Sequence, residues 1–355
     1  MVSLQQLLKT AVQQNASDLH ITANSPPVLR VNGSIVKVKI DKLSPDECQS
    51  LLYSILTDSQ KSRLESTKEL DFSFAVKDFA RFRGNMFYQR GNLSGVFRKI
   101  PSVIPALEDL GLPKAVDLVT KFDTGLVLVT GATGSGKSTT VAALVDRLNN
   151  ERNGHILTVE DPIEFIFSHK KCIVNQREVE HDTTTFGKSL RQALRQDPDI
   201  VFIGELRDLE TIESALKIAE TGHLVFSTLH TNGAVSTISR IINVFPSEDQ
   251  DRIRTLLSFV LKGVISQALI PDVAGNLLPV AEVLFVNAGI GNLIRENKMH
   301  QIYGMMQIGQ EKSGMTTINQ SLLGLVLRRR IELKTAFEHT PDPEEFNNLL
   351  KKAGV

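Results

Sequence analysis

A glycine-rich segment near the middle of the chain has the residue types and spacing of a phosphate-binding loop. The run Gly131–Ser138 fits the pattern Gly-x-x-x-x-Gly-Lys-Ser/Thr. Glycines let backbone N–H groups approach phosphate oxygens, and a lysine at this spacing reaches the β- and γ-phosphates of ATP. Ser138 supplies a hydroxyl ligand for the accompanying Mg²⁺. The predicted nucleotide-binding residues are Gly131, Ala132, Thr133, Gly134, Ser135, Gly136, Lys137, Ser138 and Thr139.

Three side chains that could take part in hydrolysis follow short apolar runs later in the chain. They are Glu160, Glu205 and His230. Because ligands of parallel α/β sheets bind at the carboxyl ends of strands, we expect all three to lie around the phosphate loop. Glu205 is expected to polarise the attacking water, and His230 to sense the γ-phosphate. Gly204 occupies the position of the usual metal-binding aspartate, so Glu205 or Glu160 is expected to share Mg²⁺ with Ser138.

Some of these side chains have a purely structural alternative. Glu205 lies two residues before Arg207 and could be held in a salt bridge there. A second histidine, His223, precedes the same strand that His230 follows. The two histidines are seven positions apart, so they are expected at opposite ends of the strand, which excludes a shared metal site.

The elements needed to position these residues are visible as apolar patterns. Leu126–Val129 predicts a strand directly before the phosphate loop, and Val141, Leu144, Val145 and Leu148 mark one face of a helix directly after it. The later apolar runs also alternate with helical patterns. Fully apolar runs separated by helices predict an α/β fold with a parallel sheet covered on both faces.

The first hundred residues predict a separate α+β module. Ser3–Gln14 has the apolar spacing of an amphipathic helix, and Ser44 with Glu47 forms a capping-box pattern at the start of a second helix. Two later segments, 71–76 and 81–87, alternate with a period of two, with a break near Gly84. The apolar positions expected on one face of this sheet are Phe72, Phe74, Val76, Phe82 and Phe87.

Length and composition limit the possible classes. The chain has 355 residues, with 40 lysines and arginines against 40 aspartates and glutamates, so binding of nucleic acid by bulk charge is disfavoured. Two cysteines can build neither a disulfide framework nor a Cys-x-x-Cys zinc site. We expect no targeting segment and no transmembrane segment. The domains predicted from these patterns are 1–99, a linker 100–120, an ATPase domain 121–270 and a helical C-terminal segment 271–355.

At these motifs the sequence resembles the hexameric ATPases of the secretion superfamily, and among them the ATPases that retract type IV pili in twitching motility. The resemblance extends from Ser17 to about Leu325. The segments that carry it are a Walker A motif at 131–139, an Asp box at 156–164, a Walker B motif at 203–208, a His box at 220–231, and shorter matches at 17–20 and 175–179.

The resemblance implies a PAS-like N-terminal domain, a RecA-like ATPase domain and a helical C-terminal segment, assembled as a homohexamer. Nucleotide would lie between the two domains, with Arg81, Arg83 and Arg98 neutralising the phosphates. Arg81 and Arg83 share a strand face by the period of two, although two solvated arginines are the alternative. The implied partners are an inner-membrane pilus platform protein and a paralogous retraction ATPase, with no nucleic acid. The implied location is the cytoplasm, at the inner membrane below the pilus.

Other roles stay open at this stage. The retraction ATPases carry a signature resembling Ala-Ile-Arg-Asn-Leu-Ile-Arg-Glu, and here Gly289–Glu296 has glycines in place of the first alanine and arginine. An accessory retraction paralogue is therefore an alternative to a main motor. Extension and type II secretion ATPases usually have an extra N-terminal domain and paired Cys-x-x-Cys motifs, which this sequence lacks. A nucleotide-gated scaffold or regulator with negligible turnover, and a motor that moves DNA, are the remaining alternatives.

Overall fold

The computed structural model describes residues 2–31, 33–76, 79–101, 103–308 and 313–354. The described residues form two compact units. The N-terminal unit is Met1–Val103 with Glu164–Ile166, and the C-terminal unit is Ile104–Ile163 with Phe167–Val355. Within the described ranges, no helix has the length and apolar character needed to cross a bilayer.

The N-terminal unit is an antiparallel sheet with helices on its apolar face. Across the sheet, the strands that the structure describes lie in the order β3-β2-β1-β6-β5-β4. Its core contains Leu8, Leu52, Phe82 and Phe97, which are all buried. The elements are α1 (Leu4–Gln13), β1 (Asp18–Thr22), β2 (Val28–Val31), β3 (Ser34–Lys37), α2 (Pro45–Tyr53), α3 (Asp58–Thr67), β4 (Glu69–Val76), β5 (Ala80–Gln89) and β6 (Asn92–Ile100).

The helix starts of this unit follow the sequence signals. Ser3 caps α1, and its side chain accepts the N–H of Gln6 at 3.3 Å. Ser44 and Glu47 form the predicted capping box at the start of α2. Because these bonds satisfy N–H groups that have no acceptor inside the helix, the two starts are set locally by sequence.

The alternating pattern of β5 holds in part. Phe82 is buried as predicted, but Met86 is the buried residue near the other end, and Phe87 points to the opposite face. The strand continues through Gly84 without a break and pairs with both neighbours. A Cβ at Gly84 would lie 2.8 Å from the ring of Phe72, so this glycine makes room for aromatic packing inside a regular strand.

The C-terminal unit is built on a mostly parallel sheet. Its described strands lie in the order β13-β12-β7-β11-β10-β8-β9, and only the pair β12–β13 among them is antiparallel. Strands β7 and β11 are buried along their whole length, which agrees with a sheet covered on both faces. The strands are β7 (Gly125–Thr130), β8 (Gly154–Glu160), β9 (Cys172–Glu178), β10 (Ile200–Ile203), β11 (Leu224–Leu229), β12 (Leu261–Pro271) and β13 (Leu277–Phe285).

Helices cover this sheet and continue beyond it toward the C-terminus. Short 3₁₀ helices at Leu107–Leu110 and Lys114–Lys121 occupy much of the predicted linker, and another lies at Met299–Gln301. The α-helices are α4 (Lys137–Glu151), α5 (Phe186–Ala193), α6 (Leu209–Glu220), α7 (Ala234–Asn243), α8 (Gln250–Val260), α9 (Ala288–Arg295), α10 (Ile302–Met306), α11 (Ile318–Leu327), α12 (Leu333–His339) and α13 (Pro343–Ala353).

The segment after Pro271 differs in one respect from the helical expectation. It is helical from Ala288 onward, but it begins with strand β13, which the sequence pattern did not reveal. A proline and a glutamate, Pro279 and Glu282, interrupt the otherwise apolar run of this strand. Pro279 is tolerated because β13 lies at the edge of the sheet, and Glu282 is buried because two helix starts bind its carboxylate.

Candidate active site

The phosphate loop joins the end of β7 to the start of α4. Gly131 has a φ of +143° and Gly134 a φ of +81°, both in the region that favours glycine. A Cβ at Gly131 would also lie 2.2 Å from the carbonyl oxygen of Gln267 on β12. Both the backbone conformation and the close approach of β12 therefore require glycine at the first position of the motif.

The N-terminus of α4 opens onto this loop. Gly136 is the N-cap residue and has no side chain to cap the first turn, so the N–H groups there remain for an anion. Within the described residues, Ser135 Oγ is among the buried polar atoms that have no hydrogen-bond partner. A buried hydroxyl without a partner beside a helix N-terminus fits a loop that binds phosphate oxygens.

Lys137 is folded back onto the loop. Its Nζ donates to the carbonyl oxygens of Gly131 at 2.8 Å and Ala132 at 2.9 Å, and the side chain is buried. The same Nζ lies 3.5 Å from Nδ1 of His230. The ammonium group is therefore positioned by the loop it belongs to, close to the predicted sensor histidine.

His230 lies between the phosphate loop and Glu205. Its Nδ1 is 3.4 Å from Oγ1 of Thr133, and its Nε2 is 3.3 Å from Oε1 of Glu205. The structure thus brings together Lys137, His230 and Glu205, which the sequence analysis placed at one edge of the sheet. Their positions follow from β7, β10 and β11, which end side by side.

Glu205 also forms the salt bridge to Arg207 that the sequence analysis gave as the alternative to a catalytic role. Arg207 Nε lies 2.9 Å from Glu205 Oε2, and Arg207 Nη1 lies 3.4 Å from Asp161 Oδ2. The hydrogen bond to Glu205 raises the pKa of Arg207. Each oxygen of Glu205 faces a different partner, so pairing with Arg207 leaves the other oxygen directed at His230. Sequence reasoning did not assign Arg207 or Asp161 to the site.

Glu160 occupies the end of β8 and is buried. Its Oε1 accepts from Thr158 Oγ1 at 2.6 Å and from Gln176 Nε2 at 3.1 Å, so strand neighbours orient the carboxylate. On the adjacent strand end, a Cβ at Gly204 would lie 3.3 Å from Cα of Glu160. A side chain at Gly204 would therefore require β8 to shift by a few tenths of an ångström.

His223 lies at the opposite end of β11 from His230. Its Nδ1 is 3.1 Å from both the hydroxyl of Thr221 and the carbonyl oxygen of Ile218. These contacts connect His223 to the turn between α6 and β11. The expectation that the two histidines do not share a metal is consistent with these positions.

Gln267 is a site residue that the sequence analysis missed. Its Nε2 donates to the carbonyl oxygen of Ser135 at 2.7 Å, and its side chain is buried. Gln267 lies on β12, whose pattern did not stand out as a strand, and a single glutamine gives no motif. Gln267 reaches the phosphate loop because β12 lies next to β7 in the sheet, and this pairing cannot be read from a local pattern.

The three predicted arginines lie in the N-terminal unit. Arg83 on β5 pairs directly with Arg98 on β6, so their side chains share a sheet face. Arg81 Nη2 donates to Ser73 Oγ at 2.8 Å, and Arg98 Nε lies 2.8 Å from Oδ1 of Asp18. Their shared face agrees with the period of two, and their role toward phosphate stays a prediction.

The model of the type II/IV secretion system protein family matches residues 1–322 of this chain. The match covers the phosphate loop, Glu160, Glu205 and His230 as well as the N-terminal unit. This chain belongs to that family.

Individual members of the type II/IV secretion system family are similar along nearly the whole chain. The type IV pilus retraction ATPase PilT of Pseudomonas aeruginosa is 47% identical over 345 residues, which cover 97% of this chain and 100% of PilT. The type IV pilus ATPase PilU of the same organism is 37% identical, with 99% and 92% covered. A crystal structure of the pilus retraction motor PilT with bound ADP matches with a TM-score of 0.93 at 47% identity, covering 98% of this chain and 100% of the other. The predicted fold class is confirmed by this likeness.

Proposed function

We propose that this chain is a motor ATPase that couples hydrolysis of ATP to retraction of type IV pili. The observation that carries the proposal is the position of His230 between Lys137 and Glu205. Its Nδ1 lies 3.5 Å from Lys137 Nζ, and its Nε2 lies 3.3 Å from Glu205 Oε1. A loop that merely bound nucleotide would not need a carboxylate linked through an imidazole to its lysine. The names of PilT and of its solved structure support pilus retraction as the work that hydrolysis drives.

The phosphate loop and the N-terminus of α4 hold the triphosphate. Lys137 reaches the β- and γ-phosphates, and the hydroxyl of Ser135 is available to a phosphate oxygen. Glu205 polarises the attacking water and accepts its proton, while Arg207 holds the carboxylate in place. His230 contacts the γ-phosphate and so links its presence to the position of Glu205.

The residues at this edge of the sheet fit Mg²⁺. Ser138 with Glu205 or Glu160 offers oxygen ligands, which Mg²⁺ prefers, and together they would hold the ion. Among the described residues, no cluster of three or more acidic, histidine or cysteine side chains could hold a metal by itself. This agrees with an ion that takes most of its remaining ligands from phosphates and water. When bound, Mg²⁺ neutralises charge on the phosphates.

The active form is a homohexamer in which nucleotide lies between the N-terminal and ATPase domains. Arg81, Arg83 and Arg98 then add positive charge near the phosphates, where charge develops during transfer. Their location on a common face of the β5–β6 pair supports this role. In this motor the linker 100–120 joins the N-terminal domain 1–99 to the ATPase domain 121–270, and the C-terminal segment 271–355 follows.

The motor acts at the cytoplasmic side of the inner membrane, on a membrane-embedded pilus platform protein. A paralogous retraction ATPase is a further partner. Nucleic acid is not a substrate, which the equal numbers of acidic and basic residues support.

An accessory retraction ATPase is the second candidate, because of the divergent segment Gly289–Glu296. This segment forms most of α9, and a Cβ at Gly291 would lie 3.2 Å from the carbonyl oxygen of Ser258 on α8. The glycine allows close packing where the retraction signature has arginine. Arg295 in the matching half donates to Ser258 Oγ at 3.2 Å and lies over the ring of Phe259. The higher identity to PilT than to PilU favours the main motor.

Experiments on the purified protein and on cells test the proposal. Purified protein should hydrolyse ATP in the presence of Mg²⁺, and Lys137→Ala or Glu205→Gln should nearly abolish that activity. Nucleotide binding without hydrolysis would favour a scaffold. Added DNA should not stimulate the reaction.

In cells, deletion of the gene should leave surface pili in excess while twitching is lost. Absent pili would indicate an extension motor, and unchanged pili and motility would remove the pilus assignment.

A further inference from the structure

A buried glutamate outside the phosphate loop connects two helices of the C-terminal unit. Glu282 lies on β13 and is 5% exposed. Its Oε1 accepts the backbone N–H of Ala234 at 2.7 Å, and its carboxylate also accepts the backbone N–H of Ile318. Burial raises the pKa of Glu282, and these two hydrogen bonds oppose the rise. Burying a carboxylate is costly unless it has specific partners, so these two contacts define what Glu282 does in the fold.

Both partners of Glu282 are the first residues of helices. Ala234 begins α7 and Ile318 begins α11. First-turn N–H groups have no acceptor inside a helix, and the positive end of the helix dipole favours a carboxylate. Gly233, the N-cap of α7, has no side chain that could accept such a bond. Glu282 therefore supplies from β13 the acceptor that the sequence at the start of α7 does not provide.

The start of α7 is also the end of the loop that carries His230. We call residues 230–233, between β11 and α7, the His230 loop. The N–H of Gly233 donates to Ser266 Oγ at 2.7 Å, next to the bond between Ala234 and Glu282. At its other end, His230 lies between Lys137 and Glu205. The direction of the imidazole therefore depends on a short loop that Ser266 and Glu282 anchor.

We propose that Glu282 is a positioning residue for ATP hydrolysis. By fixing the start of α7, its carboxylate holds His230 in line with Glu205, and its second bond ties this arrangement to α11 in the C-terminal segment. Glu282 acts through the backbone of the His230 loop and not on the nucleotide. The inference rests on the proposed function, because it concerns the same hydrolysis.

Glu282→Gln tests this role with little change in size. A glutamine keeps one acceptor, but its amide NH₂ cannot accept a backbone N–H, so one of the two helix starts loses its partner. Glu282→Leu accepts no hydrogen bond at all, so it always removes the acceptor at the start of α7. We expect kcat for ATP to fall about tenfold, because small displacements of catalytic groups are costly. The KM for ATP and the affinity for ADP should stay within about twofold of wild type, because the phosphate loop is not altered.

Glu345→Gln is the matched control in the same region. The carboxylate of Glu345 accepts from Tyr303 Oη and Asn319 Nδ2, both at 2.8 Å, and from Gln307 Nε2 at 2.7 Å. This substitution also removes a charge from a hydrogen-bonded carboxylate of the C-terminal segment. It should lower the thermal midpoint and leave kcat at the wild-type value, whereas Glu282→Gln should lower kcat at temperatures where it is fully folded.

Combining Glu282→Gln with His230→Ala decides whether Glu282 acts through the histidine. If it does, the double variant has the kcat of His230→Ala alone; multiplied losses would overturn the inference. If Glu282→Gln does not fold, Ser266→Ala removes the neighbouring anchor and should show the same loss of kcat with unchanged KM. Wild-type protein without ATPase activity would overturn the proposed function itself. An active wild type with an equally active Glu282→Leu would overturn only the role of Glu282.

Discussion

Nε2 of His230 lies 3.3 Å from Oε1 of Glu205, while Nδ1 of the same ring lies 3.5 Å from Nζ of Lys137. This bridge is a consequence of strand order. Lys137 follows β7 and Glu205 follows β10, and His230 follows β11, which lies between those two strands in the sheet. The imidazole thus connects the phosphate loop to the carboxylate through neighbouring strand ends, and the following predictions depend on that connection.

Glu205→Gln should nearly abolish hydrolysis and preserve binding. An amide cannot accept a proton from water, and loss of a general base typically costs about 100-fold to 10,000-fold in rate. ADP affinity should change little, because Glu205 does not belong to the phosphate loop. Steady-state ATPase kinetics and ADP titration would measure both effects. Glu210→Gln, at an exposed carboxylate paired with Arg191, is the control and should keep wild-type kcat. A Glu205→Gln enzyme with more than about a tenth of wild-type kcat would contradict the catalytic role.

His230→Ala should lower kcat by about 10-fold to 100-fold, less than Glu205→Gln, because the carboxylate remains and only its link to the phosphate is lost. In the double variant with Glu205→Gln, the two losses should fail to multiply, since both groups serve one step. Single-turnover measurements with saturating protein would separate this step from nucleotide release. Independent, multiplied losses would indicate that His230 acts elsewhere.

The residues of the sequence motifs could be predicted from the sequence, but the strand order and the residues that hold the motifs in place could not. The strand, loop and helix around Lys137 are contiguous in sequence, so a local pattern was enough to predict them. The strand ends at Glu160, Glu205 and His230 were also predictable, because buried parallel strands are fully apolar. The order β7-β11-β10 was not, since it depends on packing between segments about 100 residues apart. The same holds for Gln267, which reaches the phosphate loop only through the pairing of β12 with β7.

In the N-terminal unit, local signals and tertiary packing contributed differently. Ser3, Ser44 and Glu47 set helix starts through bonds to residues three positions away, so sequence sufficed. The prediction for Phe87 is wrong because β5 continues through Gly84 without a break, so that Met86 and not Phe87 lies on the buried face. The pattern shows a glycine, but the ring of Phe72, which fills the space of its missing side chain, comes from the neighbouring strand.

Gln267→Leu should weaken nucleotide binding more than catalysis. The variant loses the bond to the carbonyl oxygen of Ser135, so the phosphate loop is less rigid before nucleotide binds. We expect affinity for ATP and ADP to fall about fivefold to tenfold, equivalent to about 1 kcal/mol, with kcat at saturating ATP less affected. Isothermal titration with ADP would measure the change. Gln267→Glu should be worse than leucine, because it sets a carboxylate against a carbonyl oxygen. Equal affinities in all three proteins would rule out this support.

Arg98→Met should reduce stability in a pH-dependent manner. Burial by itself would raise the pKa of the Asp18 carboxyl, but the hydrogen bond and charge of Arg98, together with the hydrogen bond from Ser17, hold that pKa below its ordinary value. A carboxyl with a lowered pKa in the folded state stabilises the fold above its unfolded pKa of about 4. This contribution is lost as pH falls through the folded value.

Arg98→Met should therefore be less stable than wild type near neutral pH. The loss in free energy of unfolding should be only about 1 kcal/mol, because Arg98 is largely exposed to solvent and its ion pair is screened. The difference should shrink as pH falls below about 4, where Asp18 becomes protonated in the variant and then in the wild type. Urea unfolding at several pH values would measure it. Lys61→Met, which removes an exposed ion pair with Asp58, should change the free energy of unfolding by less than about 0.5 kcal/mol throughout. A loss of stability in Arg98→Met that stays constant across this pH range would show that Arg98 stabilises the sheet by packing and not through the charge of Asp18.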